Sequence, residues 1–176
     1  TVVFDKTGTL THGSFEVEAV HPETIDEKEL LHLAAHVERF STHPIAVALR
    51  NAYPNEADSC VVTDTKEIAG QGITAVINGK TVSVGNDKMM ATLGIKPHAC
   101  KLCVHHTGTT VHVAIDGQYA GHILIADQLK DDARKAIEQL KRLGVQRTVM
   151  LTGDRDEAAR QVAEQTGVTE YHAELL

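Results

Sequence analysis

The 176-residue chain contains no apolar stretch approaching the roughly 20 residues that a membrane-spanning helix needs. It also lacks a secretory signal and a lipidation pattern. Basic charge is in deficit: 17 Lys and Arg stand against 24 Asp and Glu, for a net charge of -7. With no basic block and no basic patch interleaved with aromatics, nucleic acid is not expected as a partner. The three cysteines, an odd number, argue against a secreted disulfide scaffold and for a reducing compartment. What is present is 42% apolar and 23% charged residues, a balance that excludes disorder, collagen and coiled coil. It predicts a soluble globular chain, long enough for one domain or two small ones. There is no initiator Met, Thr1 already lies inside a strand pattern, and EYHAELL ends without polar tailing. Both ends are therefore expected to be cuts through a longer protein.

Thr1 to Phe4 read as a short buried strand, and the alternation in SFEVEAVH predicts a second. Asp26 with Glu29 resembles a capping box ahead of ELLHLAAHVERF, in which Leu30, Leu33, Ala34 and Val37 line one helical face. A second helix is predicted within STHPIAVALRNAY, with Pro44 in its first turn and Ile45, Leu49 and Ala52 left for packing. NAYPNEADS reads as a turn-rich loop. The middle of the chain is a series of short Val-, Ile- and Thr-rich segments, with Asn78-Gly79 and Asp116-Gly117 marking hairpin turns. This predicts an antiparallel sheet, interrupted by a short helix from near Asn86.

Beyond Asp127 the pattern becomes helix, strand, helix, strand: DDARKAIEQLKRLG with Ala133, Ile137 and Leu140 at helical spacing, then RTVMLTGD, DEAARQVAEQTG and VTEY. Glycines close both helices. Such alternation predicts a doubly wound parallel sheet, which the opening strand is expected to join. The expected organisation is a split α/β domain, residues 1–13 and 123–176, carrying an inserted α+β domain at 14–122.

In an α/β sheet, ligand-contacting residues sit at the carboxyl ends of strands, and Asp5 occupies such an end. DKTGTLT then has two readings. It is either an ordinary strand-to-loop transition whose Asp and Thr bond locally, or a loop presenting Asp5 as a nucleophile toward a phosphoryl group. The second reading requires Mg²⁺, Lys6, backbone N–H groups and hydroxyls to stabilise the transferred group, with Gly8 turning the backbone closely around it. VMLTGDRD repeats the pattern. Thr152 would hold a phosphoryl oxygen, Gly153 would permit close approach, and Asp154 would organise the loop or the metal region; alternatively, the segment is an N-cap in a tight strand-to-helix connection.

DKTGTLT and LTGD resemble the phosphorylation loop and the second phosphate-site element of P-type ATPases. The heavy-metal-transporting branch is indicated by E-x-x-S-x-H-P at Glu38, Ser41, His43 and Pro44, by G-x-G at Gly70 and Gly72, and by Gly85-Asn86. The resemblance runs essentially from end to end. It implies a partial haloacid-dehalogenase-like phosphorylation domain with an inserted nucleotide-binding domain, and ATP and Mg²⁺ as cofactors. By the same resemblance Asp5 is the phosphorylated residue, with Lys6, Thr7, Thr152, Gly153 and Asp154 in the catalytic set and the metal at Asp5 and Thr7. The nucleotide would lie against Glu38, Ser41, His43, Pro44, Gly70, Gly72, Gly85 and Asn86, with His43 near the adenine and the glycines admitting the ligand. Asn86 reads equally as the N-cap of the next helix. Asp127, with Lys130, is a hinge, a phosphate-site support or a simple strand-to-helix cap.

The resemblance further implies a multi-pass membrane parent with this region on the cytoplasmic side. Its partners would be transmembrane, actuator and downstream phosphorylation-domain segments. The form STHPIA is more similar to zinc-, cadmium- and cobalt-type pumps than to copper-type pumps. At Thr7, phosphatases and mutases that resemble this fold carry a second Asp for proton transfer; threonine has no such group, which counts against the alternative of a soluble phosphatase or mutase. Downstream elements, a lysine and a GDGxND motif, are absent from the sequence, so the isolated chain is expected to bind nucleotide but phosphorylate poorly, with an exposed sheet edge. Cys100 and Cys103, flanked by His98, His105 and His106, supply two soft ligands at C-x₂-C spacing, so a metal-binding regulatory module is a further alternative to a variable loop. His12, His21, His32 and His36 form no comparable cluster in the sequence.

Overall fold

The computed structural model describes residues 1–54, 59–97, 108–154 and 156–175, and it divides into two compact units. Cys100, Cys103 and their neighbouring histidines lie outside the described residues. The chain leaves the first unit after Ser14 and returns to it at Asp127.

The first unit is built on a parallel sheet of order β1–β8–β9, comprising Val2–Asp5, Thr148–Leu151 and Glu170–His172. β1 pairs with β8 in the register Val2 to Thr148 through Asp5 to Leu151, which sets two strand ends side by side. The helices α4 (Ala133–Arg142) and α5 (Asp156–Thr166) bury Ala133, Ile137, Ala159, Val162 and Ala163 against Met150 and Leu10. Phe4 joins that cluster, whereas Val3, on the other face of β1, is 55% exposed. β1 is an edge of this three-stranded sheet among the described residues.

The second unit is built on a six-stranded sheet of order β2–β7–β6–β5–β4–β3, of which the first residues of β2, to Ser14, and the last of β7, from Asp127, belong to the first unit. Its strands are β2 (Thr11–Pro22), β3 (Val62–Ile68), β4 (Gly72–Ile77), β5 (Lys80–Gly85), β6 (Thr109–Ile115) and β7 (Gln118–Leu129). β3 through β7 pair antiparallel in succession. Both expected hairpin turns form, with Asn78, Gly79, Asp116 and Gly117 all at positive φ, as two-residue loops that follow the strand twist require. β2 begins at Thr11, three residues before the alternating pattern that announced it.

One face of the sheet is covered by α1 (Glu27–Val37) and α2 (Pro44–Ala52), whose Leu30, Leu33, Val37 and Leu49 pack on Ala75, Val82, Val113 and Ile123. Each fully buried leucine here contributes about 1.5–3 kcal/mol of apolar transfer free energy. Only half of the expected capping box forms. Asp26 Oδ1 accepts from Glu29 N at 2.8 Å, while the Glu29 carboxylate turns to His32 Nδ1 at 3.1 Å. The short α3 (Asp87–Thr92) seats Met89 and Met90 in a separate small cluster with Ala114 and Tyr119.

Candidate functional site

Two sites emerge, one in each unit. In the first, Asp5 is exposed at the carboxyl end of β1, and the register of β1 on β8 places it opposite Leu151, immediately before Thr152. Residues 6–10 form a wide turn closed by Thr11 N–H on the Lys6 carbonyl. Gly8 is what allows it: its φ of +78° is a left-handed conformation that costs an L side chain about 1 kcal/mol or more. Thr7 and Thr9 are exposed on this turn.

Lys6, by contrast, is withdrawn from solvent. It is 7% exposed, and its ammonium pairs with Asp154 Oδ2 at 2.5 Å. Asp154 thus holds the buried cation of the residue that follows Asp5, and Asp154 N donates to Thr152 Oγ1 at 3.1 Å. That bond occupies an acceptor site of the buried Thr152 hydroxyl and leaves its proton to donate. A Cβ on Gly153 would stand 3.0 Å from the Leu175 carbonyl, so the turn between Thr152 and Asp154 has little room.

The turn is fastened from outside its own sequence. Thr11 is fully buried, accepts from Gly8 N at 3.2 Å and donates to Asp127 Oδ2 at 2.6 Å. Asp127 Oδ1 accepts from Gly13 N at 3.0 Å. Lys130 adds two bonds, its backbone N–H to the Leu10 carbonyl and its ammonium to the Gly8 carbonyl, each at 3.0 Å. Asp127 and Lys130 therefore support this loop. Thr11, the last Thr of DKTGTLT, is a clamp within it, a role that the sequence alone does not distinguish from those of Thr7 and Thr9.

The second site is a cleft of about 300 Å³ in the second unit. Glu38, Ser41, His43, Gly70, Gly72, Gly85 and Asn86 all line it, together with Gln71, Ile73, Glu67 and Val111. Pro44 is not among the lining residues; it is the first residue of α2, where its missing N–H costs nothing. His43 is the N-cap of that helix, accepting from Ile45 N through Nδ1 at 3.3 Å. Glu38 ends α1 and is 8% exposed, and desolvation pushes its carboxyl above the usual carboxylate range, opposed by the Ser41 hydrogen bond and the Arg50 charge. Arg50 also donates to the carbonyls of Glu38 and Ser41, each at 2.8 Å, tying α2 to the segment between the helices.

The glycines have a reason independent of any ligand. Gly72 and Gly85 face each other across β4 and β5, and a Cβ on Gly72 would fall 2.2 Å from the Val84 carbonyl. A Cβ on Gly85 would fall 2.4 Å from the Gln71 carbonyl and 2.5 Å from Met89 Sδ. Gly70 needs its φ of +69° but has open space around it. Asn86 performs the N-cap role: Oδ1 accepts from Lys88 N and Met89 N, and Nδ2 donates to the Gly70 carbonyl at 3.0 Å, which steadies the glycine turn. Gln71 and Glu67 line this cleft, and Arg50 ties the Glu38 and Ser41 backbone beside it, without any sequence motif having marked them.

One expectation is corrected. His32 and His36 do belong to a cluster, one that includes Cys60, because the cysteine is brought to α1 from 24 residues beyond His36. Spacing along the chain carries no trace of that contact.

The model of the haloacid dehalogenase-like hydrolases matches residues 1–175. A zinc-transporting ATPase of Synechocystis sp. is 50% identical over 177 residues, covering 100% of this chain and 24% of that protein. A crystal structure of a zinc-transporting PIB-type ATPase in the E2.Pi state superposes with a TM-score of 0.82 at 38% identity, over 100% of this chain and 29% of that one. The catalytic domain of the CPx-ATPase CopB-B, described for its conformational changes upon nucleotide binding, matches with a TM-score of 0.71 at 26% identity, over 99% and 60%. A cadmium, zinc and cobalt-transporting ATPase of Bacillus subtilis is 45% identical over 99% of this chain, and a copper-exporting P-type ATPase of Staphylococcus haemolyticus is 38% identical over 100% of it. The chain spans about a quarter of the length of the curated relatives it matches.

Proposed function

Because the chain belongs to the haloacid dehalogenase-like hydrolases, and within them matches the catalytic segment of heavy-metal P-type ATPases, we propose that it binds ATP in the cleft between Glu38 and Asn86 and accepts the γ-phosphoryl group on Asp5. The observation that carries this reading is the convergence of residues 38, 41, 43, 70, 72, 85 and 86 on one cleft, although 48 residues separate the first from the last. The cleft is walled by apolar Ile73 and Val111 and offers the exposed His43 ring to a base and the Glu38 carboxyl to an exocyclic amine.

In the transfer, an Asp5 carboxylate oxygen attacks the γ-phosphorus as the bond to the bridging oxygen of ADP breaks; ADP leaves, and an acyl phosphate remains on Asp5. Lys6, held by Asp154, and the Thr152 hydroxyl supply positive charge and a donated proton to the transferring oxygens. Mg²⁺ would be held by the hard oxygen donors of the loop at Asp5 and Thr7. Bound there, the ion would neutralise charge on the phosphoryl oxygens. Thr7 offers no acid or base to speed hydrolysis of the acyl phosphate, a property that suits a phosphoenzyme meant to persist.

We assign the parent protein to ATP-driven movement of a divalent heavy-metal ion across a membrane, with zinc or cadmium favoured over copper by the order of identities. No helix among the described residues is long and apolar enough to cross a membrane, so the translocation path would belong to other segments of the parent. Titration of the ¹⁵N-labelled chain with ATP tests the pocket. Shifts should concentrate on His43, Gly70, Gly72 and Gly85; a response confined to residues outside the cleft rejects it.

A further inference from the structure

The His32, His36 and Cys60 cluster has the construction of a metal site. His32 and His36 lie one turn apart on α1, and Cys60 precedes β3; their ligand atoms all lie within 4.8 Å of one another. His32 Nε2 is 3.2 Å from Cys60 Sγ, and the two imidazole rings meet edge to face with centroids 4.5 Å apart.

The partners of the other ring nitrogens fix the chemistry. His36 Nδ1 lies 2.9 Å from the His32 carbonyl, and a carbonyl can only accept, so Nδ1 carries the proton. His32 Nδ1 lies 3.1 Å from Glu29 Oε2, and a carboxylate oxygen likewise accepts. Both tautomers are thereby set with Nε2 as the basic nitrogen, by a backbone carbonyl in one case and a carboxylate in the other. Those are the two commonest outer partners of metal-ligating histidines, which orient the ring and raise its basicity.

A tetrahedral ion with Zn–N bonds of 2.0–2.1 Å and a Zn–S bond of 2.3 Å places its nitrogens about 3.4 Å apart and each nitrogen about 3.6 Å from the sulfur. One pair here already stands near that separation, and side-chain rotations of an ångström or so bring in the third ligand. Two imidazoles and a thiolate are borderline to soft donors, unsuited to Mg²⁺ or Ca²⁺ and suited to Zn²⁺ and Cd²⁺. His36 is buried at 2% exposure, while His32 and Cys60 are part-exposed, so the cluster has a wet side from which an ion can enter.

We propose that His32, His36 and Cys60 bind one Zn²⁺ or Cd²⁺ ion, the thiol releasing its proton to solvent and water completing the tetrahedron. The ion would fasten α1 to the segment entering β3, closing loops of 24 and 28 residues, and raise the melting temperature of this unit. This is a site apart from the cleft, and it stands whether or not the nucleotide reading does.

Co²⁺ is the spectroscopic probe. One equivalent added to the reduced chain should give a thiolate-to-Co²⁺ charge-transfer band and intense tetrahedral d–d bands, both displaced by Zn²⁺. Cys60→Ser should abolish the charge-transfer band, Glu29→Gln should weaken binding about 10-fold, and a Cys100→Ser/Cys103→Ser double variant should leave the band intact. X-ray absorption of the Zn²⁺-loaded wild type, which needs no variant to fold, should show one sulfur at about 2.3 Å with nitrogen or oxygen for the rest. A band that survives Cys60→Ser or vanishes with Cys100 and Cys103, or a zinc shell with no sulfur or with two, overturns the assignment.

Discussion

Replacing Thr11 by Val keeps the shape of a fully buried side chain and removes one hydroxyl. That hydroxyl donates to Asp127 Oδ2 at 2.6 Å and accepts from Gly8 N at 3.2 Å. A hydrogen bond to a charged acceptor contributes about 1.5–3 kcal/mol, and a stranded amide adds to the loss. Asp127 is only half-buried and regains water, so the net cost should be about 2–3 kcal/mol. The readout is native-state amide exchange at Val149 and Met150 of β8, which report opening of the first unit. With 1.4 kcal/mol per tenfold, their exchange should accelerate about 30- to 150-fold. Amides of β4 in the second unit should be unchanged. Asp127→Asn in a double-mutant cycle should show a coupling of about 1 kcal/mol or more with Thr11→Val. An acceleration below about twofold, or equal acceleration in β4, would refute the clamp.

Gly72→Ala should destabilise the second unit by more than about 2 kcal/mol, because its Cβ meets backbone that cannot yield, whereas Gly70→Ala should cost about 1–2 kcal/mol from φ alone; urea titration compares the two. Burial lowers the pKa values of His112 and His122, so below pH 6.5 the unfolded chain binds more protons than the folded one. Their contribution is intact above pH 6.5 and lost as pH falls, and melting curves between pH 7 and 5 should decline less steeply in His122→Gln. For Glu38 the sign reverses: its raised pKa means that the folded state holds the proton longer, so stability falls as pH rises from 4.5 through the folded value. Glu38→Gln should therefore melt higher than wild type at pH 7.5, with the gap narrowing toward pH 4.5, and bind ATP more weakly in calorimetry.

Local grammar made most of the fold legible. Asn-Gly and Asp-Gly turns, Pro44 at a helix start and Asp26 at an N-cap each act within a few residues, and each formed where expected. Asp5 and Thr152 could be set side by side because a parallel sheet brings strand ends together. What sequence could not give is contact across large separations. Arg50 beneath the Glu38 and Ser41 carbonyls, and Cys60 against His32, have no local signature. Glycines were legible as a motif yet ambiguous in cause, since ligand access and the Gly72–Gly85 strand crossing demand the same residue.

The proposed chemistry turns on phosphorylation of Asp5. The intact parent, incubated with γ-³²P-ATP and Mg²⁺, should acquire an acid-stable, hydroxylamine-labile label on the peptide containing DKTGTLT, and Asp5→Asn should remove it while ATP binding persists. Undiminished label in Asp5→Asn would show that another residue accepts the phosphoryl group.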